Sequence, residues 1–313
     1  MKKTVYKIAA VLSFTFFSGY VLAQEIRIEG TKFVYPIVEK WLTEYKKENP
    51  QSPIRLGVGT SPNKESSDLS VIVHSLSDDD SANGEKIVYI GRYALLPVSN
   101  AQNPLLEKAA KGLKKKEIVE LVFEKDVLDE DFDPDEKSKY TATIYSRDSE
   151  SSTTQALAEH FDQAPERIKG KKIFGDEIYL LTAVQKDEKG VTFNTLNYVF
   201  DLTSRQLKTG ISLVPLQLKL KQKEAFDSSN IDQLISLLEE SKIETIPVKN
   251  FGLQIPKEYF TNKDVVHFVN WILEHGQQYN HEYGFLNLDS KTLTNQKERL
   301  DDSKKYLSYL KNE

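Results

Sequence analysis

The chain has no cysteine among its 313 residues, which excludes a disulfide framework and a lipid-modified cysteine at an export cleavage site. It also lacks an excess of positive charge: 42 Lys and Arg face 47 Asp and Glu, a formal net charge of −5. Nucleic acid is therefore not expected as a partner, because polyanion binding needs a basic surface. Motifs for catalysis are missing too. The five histidines include no H-E-x-x-H pair, and no G-x-S-x-G elbow, P-loop or G-x-G-x-x-G turn occurs. No enzymatic activity, metal or cofactor is expected on these grounds. The pieces Ser61-x-x-Lys64, Ser81-x-Asn83 and Lys208-Thr209-Gly210 occur in the order of a penicillin-recognising serine enzyme. That chemistry needs its lysine one turn along a long buried helix, yet the sequence after Lys64 reaches a strand within a few residues.

What is present begins with a targeting layout. Lys2, Lys3 and Lys7 precede the apolar stretch Ile8 to Phe17 and a small-residue end at Val21-Leu22-Ala23. This reads as a cleavable secretory signal peptide over residues 1–23, with the mature chain starting at Gln24 and located in the periplasm. A largely apolar stretch of ten residues is too short for a stable membrane anchor. Removing three lysines leaves 42 − 3 = 39 basic against 47 acidic residues, or −8. The hydrophobic fraction of 39% suits a globular chain of about two domains.

Strand and helix patterns alternate along the mature chain. Short strands are expected at Ile26 to Ile28, Ile54 to Leu56, Leu69 to Val73 and Ile87 to Ile90. A helix opened by Pro36 places Ile37, Val38, Trp41, Leu42 and Tyr45 on one face. Further helices are expected at Lys114 to Phe123, Ile231 to Glu240 and Asp264 to Tyr279. A strand and turn are expected at Val191 to Phe200 and another strand at Ile211 to Leu218. The pattern indicates an α/β chain with largely parallel sheet and no internal repeat. The acid-rich stretch Glu124 to Lys137 holds Asp129, Asp131, Asp133 and Asp135, but Pro134 and Tyr140 stand where a calcium loop needs glycine and glutamate. It reads as a solvated loop.

The most informative segment is Tyr145-Ser146-Arg147-Asp148-Ser149-Glu150-Ser151-Ser152-Thr153-Thr154. An apolar strand, Thr141 to Tyr145, precedes it and a helix continues from Gln155, so Ser151, Ser152 and Thr153 fall near the first turn. Free backbone N–H groups, a positive helix end and the planar Arg147 fork suit a tetrahedral oxyanion there. The same residues also serve as ordinary helix caps.

Together these segments resemble the phosphate-binding proteins of phosphate ABC transporters. The resemblance rests on Gly112-Leu113 through Ile118 and Leu121 to Phe123, on Arg147 with Ser151-Ser152-Thr153, and on Val191-Thr192-Phe193. It continues in Phe268-x-x-Trp271, Gly276-Gln277 and Tyr283 to Leu288. It implies the two-lobed type II periplasmic-binding fold, each lobe a mostly parallel sheet flanked by helices. The expected division is 24–95 with 210–313 as a discontinuous first lobe and 96–209 as the second. By resemblance, Thr31, Lys32 and Phe33 form a first anion loop, Thr60 and Ser61 a second, and Arg147, Ser151, Ser152 and Thr153 a third. Phosphate or a related oxyanion is the implied ligand, an ABC permease the implied partner, and a monomer the implied state.

Three departures are visible. Pro62 to Ser67 leaves room for barely one helical turn after the second loop. Ser152 replaces the family's glycine, and Val73 stands where the family carries the aspartate that accepts the proton of hydrogen phosphate. Asp148 or Glu150 is then the nearest alternative acceptor. The alternative to transport capture is a degenerate member acting as a sensory or protein-interaction module without bound phosphate.

Overall fold

The computed structural model describes residues 25–57, 68–73, 86–125 and 139–310. The signal segment and the alternating aspartates at 129–135 lie outside them. The chain opens with β1 (Ile26–Gly30), α1 (Tyr35–Glu48), β2 (Ile54–Leu56), β3 (Leu69–Ile72) and the long β4 (Lys86–Asn100). Then come α2 (Leu105–Lys108), α3 (Lys115–Val122), β5 (Thr143–Ser146), α4 (Ser152–His160), β6 (Lys171–Lys172), α5 (Ile178–Lys186), β7 (Gly190–Thr195) and α6 (Leu196–Val199). The rest is β8 (Ile211–Leu213), α7 (Leu220–Asp227), α8 (Ile231–Glu240), β9 (Val248–Ile255), α9 (Lys263–Glu274) and α10 (Ser290–Leu310).

Two sheet regions share β4. Its first part, Lys86 to Ala94, pairs antiparallel with β9, which continues through β3 to the parallel set β3-β1-β2. Its second part pairs antiparallel with β7 and β8, and β7 leads into the parallel set β7-β5-β6. The expected mixed α/β architecture is present. Parallel neighbours occur where a helix makes the return, as α1 does between β1 and β2. Antiparallel pairing is confined to the neighbours of β4 and β9, which link the two regions.

Helix α1 forms as its sequence dictates. Pro36 sits in the first turn, and Ile37, Val38, Trp41, Leu42 and Tyr45 are all buried. Trp41 donates its indole N–H to the Gly276 carbonyl at 2.9 Å and stacks against Phe251 at 6.2 Å. Phe251 meets Phe285 at 5.2 Å, and Phe33 lies between Phe285 and Tyr93 at 6.2 and 5.3 Å. Each fully buried side chain of this kind contributes on the order of 2 kcal/mol by removal from water. Because Tyr93 lies on β4, this aromatic cluster ties α1 to the strand common to both regions.

Several elements depart from their expected limits. The strand expected over Ile211 to Leu218 ends at Leu213; Pro215 has no N–H for a ladder, and Leu216 instead bridges to Leu113. The helix expected to Tyr279 ends at Glu274 and gives way to a 3-10 turn from Gly276. Strand β9 carries no period-2 alternation, because one end is half-buried and the other packed on both faces.

Candidate functional site

The first predicted loop lies at the start of α1. Gly30 has φ +130°, and an added Cβ would fall 2.3 Å from the Val71 carbonyl oxygen, so glycine alone fits between β1 and β3. The Gly30 N–H donates to the Tyr35 hydroxyl at 3.0 Å, and the Thr31 N–H donates to the Val71 carbonyl at 3.3 Å. Tyr35 is pushed above the ordinary phenol range, chiefly by burial. Thr31 is half-buried, Lys32 exposed, and Phe33 a core residue with 0% exposure. Phe33 thus contributes its backbone to this region while its ring belongs to the core. Thr60 and Ser61 lie outside the described residues.

The arginine segment sits between β5 and α4. The helix begins at Ser152, with Ser151 in extended conformation before it, so the hydroxyl run occupies the first turn as the sequence predicts. Ser152 is half-buried at the first helical position. Arg147 is 13% exposed at its side chain and donates through Nη1 to the Ile173 carbonyl at 2.8 Å. Its Nη2 stands 3.9 Å from Asp148, while its buried Nε has no partner among the described residues. An unpaired buried donor of this kind costs about 1–3 kcal/mol unless a ligand or water satisfies it.

At the centre of the cluster is Glu177, which sequence reasoning did not select. It is 9% exposed and caps the start of α5. The Thr153 hydroxyl donates to Glu177 Oε1 at 3.2 Å, and the Ser151 and Thr153 hydroxyls stand 3.0 Å apart. Asn194 of β7 donates to the Glu177 carbonyl at 2.8 Å. Burial pushes the Glu177 carboxyl above the ordinary carboxylate range, and its own backbone N–H and Arg147 oppose that shift. Tyr198, beside Asp176, is likewise raised by burial first and then by its hydrogen bond to that carboxylate. The only sequence signal was Asp176-Glu177 ahead of the apolar run Ile178 to Val184, a pattern common to helix starts.

Thr153 therefore bonds a buried carboxyl, with the Ser151 hydroxyl against Thr153 and the Arg147 charge acting on the same group. The Thr31 loop is linked to them by a short path: three residues after Asn194, Asn197 donates through Nδ2 to the Phe33 carbonyl at 2.9 Å. Val73 is fully buried, and its carbonyl accepts the Tyr93 hydroxyl, so no acceptor for a ligand proton arises there. Glu150 is exposed. Among the described residues, no cluster of three His, Cys, Asp or Glu is placed to hold a metal ion.

The fold resembles that of solved proteins over most of the chain. A protein assigned as a phosphate ABC transporter substrate-binding protein, solved with bound phosphate from Clostridium perfringens, superposes with a TM-score of 0.56. It is 17% identical and covers 85% of this chain and 100% of its own. The fold is one that phosphate transport receptors also have. A second such receptor, from Vibrio cholerae, gives 0.55 at 13% identity, with 84% and 100% covered. The regulatory domain of MetR, a LysR-family regulator from Neisseria meningitidis, matches at 0.49 and 12%, covering 85% and 99%. No protein-family model matches the sequence, and no curated protein does.

Proposed function

We propose that this protein is an extracytoplasmic solute-binding protein, exported by residues 1–23, that captures phosphate or a related oxyanion between its two lobes. An ABC permease would then take the ligand up. The observation that carries this reading is the buried Nε of Arg147, without a partner among the described residues, in the segment that leads into the Ser151 and Thr153 hydroxyls at the start of α4. Planar guanidinium, hydroxyl and helix-end donors in a shielded place are the chemistry of oxyanion recognition. Glu177 would accept the O–H of a protonated oxyanion, the role that Val73 cannot fill. No catalytic step and no cofactor belong to this reading.

Isothermal titration with phosphate, sulfate and arsenate tests it. Phosphate is expected to bind, and Arg147→Ala to weaken binding more than tenfold. No heat with any of the three anions would remove transport capture from consideration. A second reading has one observation in its favour: Thr153 already spends its hydroxyl on Glu177, so the protein's own carboxylate takes the anion's place. The chain would then be a sensory or protein-interaction module. Under that reading Arg147→Ala leaves every anion titration blank, as in the parent chain.

A further inference from the structure

Away from the arginine segment, the starts of two helices are joined. Leu113 and Leu216 form a parallel bridge, with the Leu113 N–H donating to Pro215 at 2.8 Å and the Gln217 N–H donating to Leu113 at 2.9 Å. Gly112, at φ +84°, makes this approach possible, since a Cβ there would fall 2.3 Å from the Leu216 backbone. Helices α3 and α7, of eight residues each, begin just beyond the bridge. Both first turns therefore present backbone N–H groups that no intrahelical carbonyl satisfies.

Between them opens a cavity of about 490 Å³ whose lining includes Lys114, Lys115, Lys116, Lys219, Lys242, Glu244 and Thr245. Five lysines line one cavity of a chain whose formal net charge is −5. Lys115 pairs with Asp162 at 3.0 Å and Lys116 with Glu120 at 3.8 Å. Lys114, Lys219 and Lys242 have no carboxylate partner among the described residues, and all three are exposed. Thr245 supplies an independent observation. It is 5% exposed, and its buried hydroxyl has no hydrogen-bond partner among the described residues. A buried orphan hydroxyl on the wall of a lysine-lined cavity calls for a ligand acceptor or donor.

We propose that this cavity is a second anion site, which binds a soluble phosphate chain with several adjacent phosphoryl groups. Three unpaired lysines less Glu244 leave two positive charges; the start of α7 adds about half a charge, whereas at α3 the Glu117 carboxylate, which accepts the Lys114 N–H at 3.0 Å, offsets the helix end. A total of more than two suits a condensed phosphate better than one orthophosphate, and the donors come from three separate segments, at Lys114, Lys219 and Lys242, as several adjacent phosphoryl groups require. The site is separate from the arginine segment. Helix α4 starts at Ser152 and its far end, His160, bonds the Glu244 carbonyl at 2.8 Å, so its nine residues hold the two places about 13 Å apart.

Calorimetric titration of the full chain with tripolyphosphate and with orthophosphate tests the proposal. Tripolyphosphate is expected to bind; Lys114→Gln combined with Lys219→Gln should weaken it at least tenfold, and Thr245→Val about threefold. Arg147→Ala should leave it unchanged. Both lysines are exposed, so thermal melting of the double variant is expected to match the parent and to exclude misfolding as the cause. The proposal fails if tripolyphosphate gives no heat, if the lysine variant binds it as the parent does, or if Arg147→Ala abolishes it. Sedimentation with vesicles of phosphatidylglycerol and phosphatidylcholine separates the source: binding to vesicles without binding to tripolyphosphate also overturns it.

Discussion

At the scale of single residues, Glu177 has the largest chemical consequence. A carboxyl whose folded pKa is raised favours the protonated form in the native state. Its contribution to stability is complete below the unfolded value of 4.5 and is lost as pH rises through the raised folded value. The native state is accordingly expected to lose stability from pH 4.5 upward, over the window set by this group. Glu177→Gln keeps an acceptor for Thr153 and removes the charge that burial opposes. We expect it to raise the melting temperature at pH 7 by roughly 2 °C and to flatten the pH profile above 4.5. A melting profile parallel to the parent's would show that burial does not oppose the charge at Glu177. The same substitution bears on the ligand. If Glu177 accepts the proton of hydrogen phosphate, the amide should lower phosphate affinity; if Glu177 merely fills the site, removing its charge should raise anion affinity.

At the scale of elements, most segments follow from local patterning and caps. Helix α8 begins at Ile231 because Asn230 accepts the Asp232 and Gln233 N–H groups at 2.9 and 3.2 Å. Five apolar residues of the helix are then buried on one face. Asn230→Ala should cost about 1 kcal/mol in chemical denaturation, with the slope of the transition unchanged. Where sequence patterning was silent, the cause is environment. Strand β9 was not legible because its residues are neither alternating nor uniformly apolar, and its pairing with β4 includes a register shift between Tyr89 and Gly91. The expected strand Ile87 to Ile90 proved to be the opening of a fifteen-residue β4. Its second part is buried on both faces and flanked by other strands, and that continuous burial hides a strand's period.

At the scale of the molecule, β4 and β9 are the strands that join the two sheet regions. If oxyanion capture is by closure of two lobes, small-angle scattering should show the radius of gyration fall when phosphate saturates the chain. Tripolyphosphate at the lysine cavity should produce no such change, because both helix starts and Thr245 already converge there. An unchanged radius with bound phosphate would indicate a rigid site. The whole-molecule charge is a poor guide to either anion. Local donors dominate at the distances of a hydrogen bond, whereas the diffuse acidic surface is screened beyond about 10 Å at ordinary salt.

The sequence by itself determined the helix start after Arg147, the hydroxyls in its first turn, the amphipathic faces of α1, α8 and α9, and the alternation of strands and helices. These are short-range consequences of periodicity, capping chemistry and proline. Only the tertiary structure decided that Glu177 sits beside Thr153, 24 residues away, and that lysines near 115, 219 and 242 share one cavity. Charges and hydroxyls carry no periodic signature of their eventual neighbours. Which of them meet depends on how the sheets bring distant loops together, and burial then fixes what each meeting costs.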